Sequence, residues 1–526
     1  MSAYAGTGTL LRLWLRRDRI MLPFWLYALT GYVASTALGF RSLYDTPASI
    51  HDFASGITSN GAMLAFYGEL RAETLGGLVS WRLGSTGGAM VAVMAVFLVI
   101  RHTRAEEETG RLELVGSTAI GRRTALTAGL LVGVGAAVTL GVLASIVLIA
   151  CGLPVAGSLA FAAGWTAVGL VFSAVAAAAA QFTENTRTAR GLALAAVGAS
   201  FALRAVGDAG PGALSWLSPL GWTGELAAYA GERWWVLFLP LAATAALTAA
   251  AYGLADRRDL GAGLLPTRLG PATGTVRGVF GLAARLQRGT LLAWTAGFAL
   301  YGAAIGGIAE GADDLVRDSG GTREILERIG GSGAVTDTFL SAMFGIIGLL
   351  VSAYGVQTAL RLRGEETDTH LELLLATPAR RPSWTLGHLV WTFGGIVVVL
   401  AACGLAAGTV RAASTGASSD IARLTGVALA QAPAAWTVAG AAVLLFGLVP
   451  RASQAAWGVL AAFGLLGQFG PLLELPQPVM DLSPFTHTPH LPGADAPLVP
   501  LVWLALTALV VTVAGIAGFT RRDLMS

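Results

Sequence analysis

Long apolar runs separated by short, arginine-bearing segments set the pattern of this chain. A helix needs about 20 mostly apolar residues to cross a bilayer, and twelve runs approach that length. In the first half they lie near 20–40, 84–101, 124–150, 155–180, 190–207 and 235–255. In the second half they lie near 290–310, 338–360, 384–408, 424–449, 454–472 and 498–519. The pattern predicts an all-α polytopic membrane protein. The segments Leu10–Arg19 and Leu282–Arg288 precede the first run of each half, and Leu10, Leu11, Trp14 and Leu15 can share one face. Each is predicted as an amphipathic helix lying in the interface.

The runs also repeat. Arg104, Glu106 and Glu107, followed by Leu112, Glu113 and Leu114, return 259 residues later as Arg363, Glu365, Glu366, Leu371, Glu372 and Leu373. Thr118 and Arg122 match Thr377 and Arg381 at the same offset. Leu217, Ser218 and Pro219 return as Leu482, Ser483 and Pro484, and Arg257 to Leu260 return as Arg521 to Leu524. Arg19 with Trp25 returns as Arg288 with Trp294. The predicted domains are a first six-helix half, 1–260, a cytoplasmic Gly/Pro-rich linker, 261–284, and a second six-helix half, 285–526. An even number of helices per half makes the repeats parallel, related by an axis along the membrane normal.

Composition narrows the function. The 526 residues are 55% hydrophobic and 12% charged, with mean hydropathy +0.67; soluble domains carry about 25% charged residues. A soluble enzyme, a disordered tail and a secreted disulfide scaffold are excluded. All 34 basic residues are Arg. A P-loop needs a Lys to reach the β/γ-phosphates, so ATP-driven action requires a second polypeptide. With the N-terminus inside, most arginines fall in cytoplasmic segments and most acidic residues outside them, which places both termini in the cytoplasm. Cys151 and Cys403 lie in apolar segments and read as small core residues rather than a disulfide.

The strongest motif is the loop after the second run of each half. A glutamate cluster opens it, Leu-Glu-Leu follows, and a small-residue turn closes it at Thr118 in the first copy and at Thr377-Pro378 in the second. Acidic loops do little for topology, and two copies at one register argue for two copies of a soluble partner. The stretch 365–378 resembles the coupling-loop motif of type-2 ABC exporter permeases. The doubled chain resembles the fused twelve-helix permeases described as exporters of polyketide antibiotics, the tetronasin-resistance type. The first copy is degenerate: Gly116 and Ser117 stand where the second has Leu375 and Ala376, and no Pro follows Thr118.

That resemblance implies a transmembrane subunit served by two copies of a separate ATP-binding subunit, with Mg-ATP held there and no cofactor or metal in this chain. It implies that Glu106, Glu107, Leu112, Glu113, Leu114, Thr118, Glu365, Glu366, Leu371, Glu372, Leu373, Thr377 and Pro378 face the ATPases. It also implies alternating access, a lipophilic small-molecule substrate such as an antibiotic or drug, and a bacterial plasma membrane location. No nucleic acid is expected as a partner.

Pathway or outer-gate candidates come from the residues themselves. Arg204 sits late in the fifth run, where it can snorkel to the interface or line a pathway, with Asp208 one turn on as partner; Gln468 falls at the matching place in the second half. Pro219, Trp222 and Pro484 lie in segments that read as an interfacial aromatic belt or as short outer helices closing the path. An ion-coupled transporter would need acids or histidines within the bundle; only His388 and Glu310 lie near helix ends. Lipid export fits the same physics as drug export. No catalytic grouping of Ser, His and carboxylates appears, so no enzyme is expected.

Overall fold

The structure is a computed structural model; it describes residues 2–523 except 45, 59–60, 117–119, 209, 211, 260, 266–273, 275–277, 319–331, 470–475 and 489–497. The described residues form helices and turns with no strand. Lipid offers no hydrogen bonds, and a helix pairs its backbone groups within its own segment. The chain divides into two compact units, Met1–Leu269 and Gly270–Ser526.

In the first unit α1 (Thr7–Arg17) leads into α2 (Met21–Leu43). Two short helices, α3 (Pro47–Thr58) and α4 (Gly61–Tyr67), precede α5 (Leu75–His102). Next come α6 (Arg104–Glu108), α7 (Arg111–Gly116), α8 (Thr124–Ala150), α9 (Val155–Phe182) and α10 (Thr186–Asp208). A segment holding α11 (Gly221–Glu225) then turns into α12 (Phe238–Ala255). The second unit has α13 (Gly278–Asp318), α14 (Ser332–Ala359), α15 (Arg361–Thr367), α16 (His370–Leu375), α17 (Arg381–Thr415) and α18 (Ser419–Leu429). It closes with α19 (Ala432–Leu448), α20 (Ala455–Phe469), α21 (Gln477–Met480) and α22 (Leu498–Arg521).

Eleven helical stretches of described residues are long and apolar enough to span a membrane, one of them, Ser419–Leu448, running through both α18 and α19. The protein is therefore a multi-pass membrane protein. The twelfth expected run, 454–472, is α20, whose described apolar stretch Ala455–Gly464 is shorter. The run expected at 424–449 is two helices that break at Ala430 and Gln431, just before Pro433.

Helix α8 shows the packing logic. Leu131, Val138, Val142 and Ile146 are exposed on its outer side, while Gly129, Gly133, Ala136, Ala137 and Gly141 are buried. Between helices in lipid the hydrophobic effect offers little, so close approach through small residues does the holding. A Cβ on Gly133 would lie 2.7 Å from Val99 Cγ2 and 2.6 Å from Ser173 Oγ, so α5 and α9 meet α8 at this glycine.

The two interfacial segments differ. In the first unit Asp18 ends α1; its carboxylate is fully buried, 2.5 Å from His102 Nε2 and 3.1 Å from Arg101 Nε. Leu10 and Trp14 are buried, Trp14 stacks on His102, and Leu15 is turned outward. In the second unit Leu282–Arg288 is not a separate helix as expected; it belongs to the uninterrupted α13. Gln287 stands there where the first unit has Asp18, and it bonds His388 Nδ1 at 3.0 Å without leaving the helix.

Candidate functional site

Both loops fold as a pair of short helices stacked under the bundle, at the same end of each unit. Leu112 and Leu371 are the buried anchors of α7 and α16. Directly beside them Glu113, Leu114, Glu372 and Leu373 are exposed, Leu114 by 75% and Leu373 by 73%. Thr377 and Pro378 are exposed too, and they line a groove of about 580 Å3 with Leu282 and Ser383. Thr118 lies outside the described residues.

Four of the glutamates expected to face a partner, Glu106, Glu107, Glu365 and Glu366, are engaged in ion pairs within their own unit. Glu366 accepts both guanidinium nitrogens of Arg522, at 2.6 and 2.9 Å, and one from Arg363 at 3.0 Å. Its side chain is 2% exposed. Glu107 does the same in the first unit: Arg258 donates to its two oxygens, each at 2.7 Å, and Arg104 donates as well. Arg122 donates to the carbonyls of Asp256 and Arg258, while Arg381 donates to those of Phe519 and Arg522. Each glutamate–arginine fork thus bolts the end of the second spanning helix to the residues after the last. Bidentate pairs of this kind are geometrically specific as well as strong.

The neighbouring glutamates are also taken. Glu106 pairs with Arg17 and approaches Arg111 at 3.7 Å; Glu365 pairs with Arg361 at 3.2 Å and His370 at 3.3 Å. Glu108 accepts from the backbone N–H of Thr186 at 2.9 Å and so caps α10, where a negative charge favours a helix N-terminus.

Sequence reasoning missed the arginine half of this fork. The signal was present: Arg258 and Arg522 recur in the same order as Glu107 and Glu366. Burial of the pairing could not be read from order alone. Also missed was a strap formed by the first residues. Ala3 and Ala5 accept backbone N–H bonds from Arg123 and Gly121, both 3.0 Å, tying the chain start to the turn before α8. Residues 261–265, expected in the linker, run along the end of α9 instead, where Leu264 and Leu265 donate to the carbonyls of Gln181 and Phe182.

At the opposite end of the first unit, Arg204 is 1% exposed. Its guanidinium donates to the carbonyls of Ala65 and Phe66, at 2.7 and 2.9 Å, and to Asp208 at 3.0 Å. It thereby closes the C-terminal end of α4, whose last carbonyls lack intrahelical partners. It also borders a cavity of about 40 Å3 with Tyr67, Arg71, Trp81 and Glu225. That volume suits a few waters. Ser218 and Ser483, before Pro219 and Pro484, are fully buried and accept from the backbone N–H of Gly221 and Phe485, starting a short helical turn in each unit. Trp222 donates to the Trp216 carbonyl at 2.7 Å and is partly buried. Tyr229 wedges between α5 and α9, where any Cβ on Gly76 or Gly157 would meet its ring. Gln468 is on α20, and its side chain lies outside the described residues.

The comparisons agree along the chain. Residues 276–520 match the family described as "Multidrug efflux system permease Rv1217c, C-terminal domain". The chain is 42% identical over 531 residues to "Multidrug efflux system permease protein Rv1217c" of Mycobacterium tuberculosis (strain ATCC 25618 / H37Rv), covering 99% of this chain and 96% of that relative.

Proposed function

This chain belongs to the family of multidrug efflux system permeases, and on that premise we propose that it is the membrane subunit of an ATP-driven exporter of the type-2 ABC class. It moves lipophilic compounds out of the cell by alternating access, in the plasma membrane, with both termini and both loops in the cytoplasm. Two copies of a separate subunit bind and hydrolyse Mg-ATP.

The observation that carries this reading is the matched pair of exposed Glu-Leu steps. Glu113 with Leu114 and Glu372 with Leu373 project from short helices whose other side is anchored by Leu112 and Leu371. A soluble partner that presses on such a helix also presses on two spanning helices, because the Glu107–Arg258 and Glu366–Arg522 forks join their ends. Large exposed leucines beside a carboxylate suit a partner surface with an apolar pocket and a basic rim. The buried glutamates transmit force within the unit; the exposed Glu-Leu steps receive it.

Copurification tests the reading. The tagged chain, extracted in mild detergent, is expected to bring down a P-loop ATPase at two copies per chain. The L114R/L373R variant is expected to lose it while keeping the melting temperature of the wild-type chain. Recovery of the chain alone across several detergents, with drug efflux intact in cells lacking any such ATPase, would overturn the ATP-driven mechanism. Vesicle assays with dyes and with labelled phospholipid separate drug from lipid as the cargo.

A further inference from the structure

Two contrasting sets of arginines lie at the loop-bearing end. Arg17, Arg104, Arg258, Arg363 and Arg522 are tied to carboxylates within their own unit. Arg12, Arg16 and Arg19 in the first unit, and Arg285 and Arg288 in the second, are exposed and form no ion pair among the described residues. Arg16 and Arg19 correspond to Arg285 and Arg288 in the repeat. Arg12 and Arg16 are one turn apart on α1, as are Arg285 and Arg288 on α13. Neighbours at that spacing stand roughly 5–6 Å apart at Cβ.

Apolar side chains flank both sets. Leu13, Ile20 and Phe24 are 55%, 77% and 68% exposed beside the first; Phe280 and Leu292 are 49% and 67% exposed beside the second. Water accommodates such a run of exposed leucine, isoleucine and phenylalanine poorly, and an acidic protein surface would satisfy only the arginines. A phospholipid satisfies both, with its chains on the apolar residues and its phosphate on the guanidinium fork, which matches phosphate oxygens two at a time.

We propose that each interfacial segment is a docking surface for anionic phospholipid headgroups, one at Arg12, Arg16 and Arg19 and one at Arg285 and Arg288. A zwitterionic headgroup brings its own cation and loses the net attraction. The proposal is independent of the ATP-driven reading, since it concerns the chain and its bilayer alone.

Native mass spectrometry of the purified full chain tests it, with phosphatidylglycerol and phosphatidylcholine supplied in equal amounts. The wild-type chain is expected to retain phosphatidylglycerol preferentially. Each arginine near an anionic surface contributes a factor on the order of 5. R12Q/R16Q/R19Q and R285Q/R288Q should therefore each remove one part of the preference, and the quintuple variant should bind the two lipids alike. Arg187, equally exposed at the start of α10, is the control, and R187Q should leave the preference unchanged. These positions are exposed, so melting temperatures should stay near wild type, which separates lost docking from lost fold. The proposal fails if the wild-type chain shows no preference, if the quintuple variant keeps it, or if R187Q lowers it as much as R12Q/R16Q/R19Q. It also fails if inorganic phosphate displaces the lipid as readily as added phosphatidylglycerol does.

Discussion

Replacing Glu366 by Gln is the sharpest test of the internal fork. The carboxylate is 2% exposed and receives two bonds from Arg522 and one from Arg363, whose side chains are 15% and 18% exposed. Removing one partner of a buried pair costs about 3–5 kcal/mol, because the other charge is left behind. Here the guanidinium of Arg522 keeps a second support: it lies 5.2 Å from the ring centroids of both Phe446 and Phe519. The amide of Gln also retains one acceptor. The expected loss is therefore about 2–3 kcal/mol. Glu365→Gln weakens a half-buried i,i+4 pair, 17% and 11% exposed, and keeps an acceptor for Arg361, so it should cost less, about 1 kcal/mol. Thermal unfolding of the detergent-solubilised chain, followed by size-exclusion chromatography, measures both. A kilocalorie corresponds to a few degrees for domains of this size. The double variant E366L/R522M should recover part of the loss, since replacing both partners by apolar groups removes the stranded charge. If E366Q melts like wild type yet loses its ATPase, Glu366 serves a partner and the inward fork is wrong. Equal losses for E365Q and E366Q would refute the burial argument as well.

Other expectations follow from the same geometry. Arg204→Leu leaves the Ala65 and Phe66 carbonyls without their donor, at a cost of about 2–3 kcal/mol. It should expose 47–67 to limited proteolysis; lost efflux with unchanged proteolysis and melting would make Arg204 a pathway residue instead. Gly395→Ala drives a methyl into the Tyr354 hydroxyl, which donates to the Trp391 carbonyl at 2.8 Å. Overpacking of this kind costs about 1–3 kcal/mol, read as a lower melting temperature, whereas Gly394→Ala, with nothing near its Cβ, should be neutral. Burial pushes the Asp18 carboxyl upward, but bonding and charge from His102, Arg101 and Arg17 outweigh it and hold the group below its ordinary 3.8. A depressed native value means that this contribution is present above the unfolded value and fades as pH falls through the native one. The melting temperature should therefore drop below pH 4 more steeply in the wild-type chain than in D18N; parallel profiles would contradict the assignment.

The sequence by itself determined the membrane class, because composition and run length decide whether helices can be solvated by water. It also determined the twofold repeat, because matched residues at a constant offset need no coordinates to be seen. The site was legible in part. Leu112 and Leu371 were read as belonging to one motif with Glu113 and Glu372, and periodicity over a six-residue helix is too short to sort anchors from exposed faces. Glu106, Glu107, Glu365 and Glu366 looked like surface charge because glutamate in a loop normally is. Only the tertiary structure brings Arg258 and Arg522 back under them, 151 and 156 residues away in the chain. The same holds for Arg204, which a linear reading sends toward water. Folding places the carbonyls of Ala65 and Phe66 beside it, and a nearby acceptor in a buried site outweighs a longer reach to solvent. Local pattern is set by solvation and decides where helices form; which charge meets which is set by long-range packing.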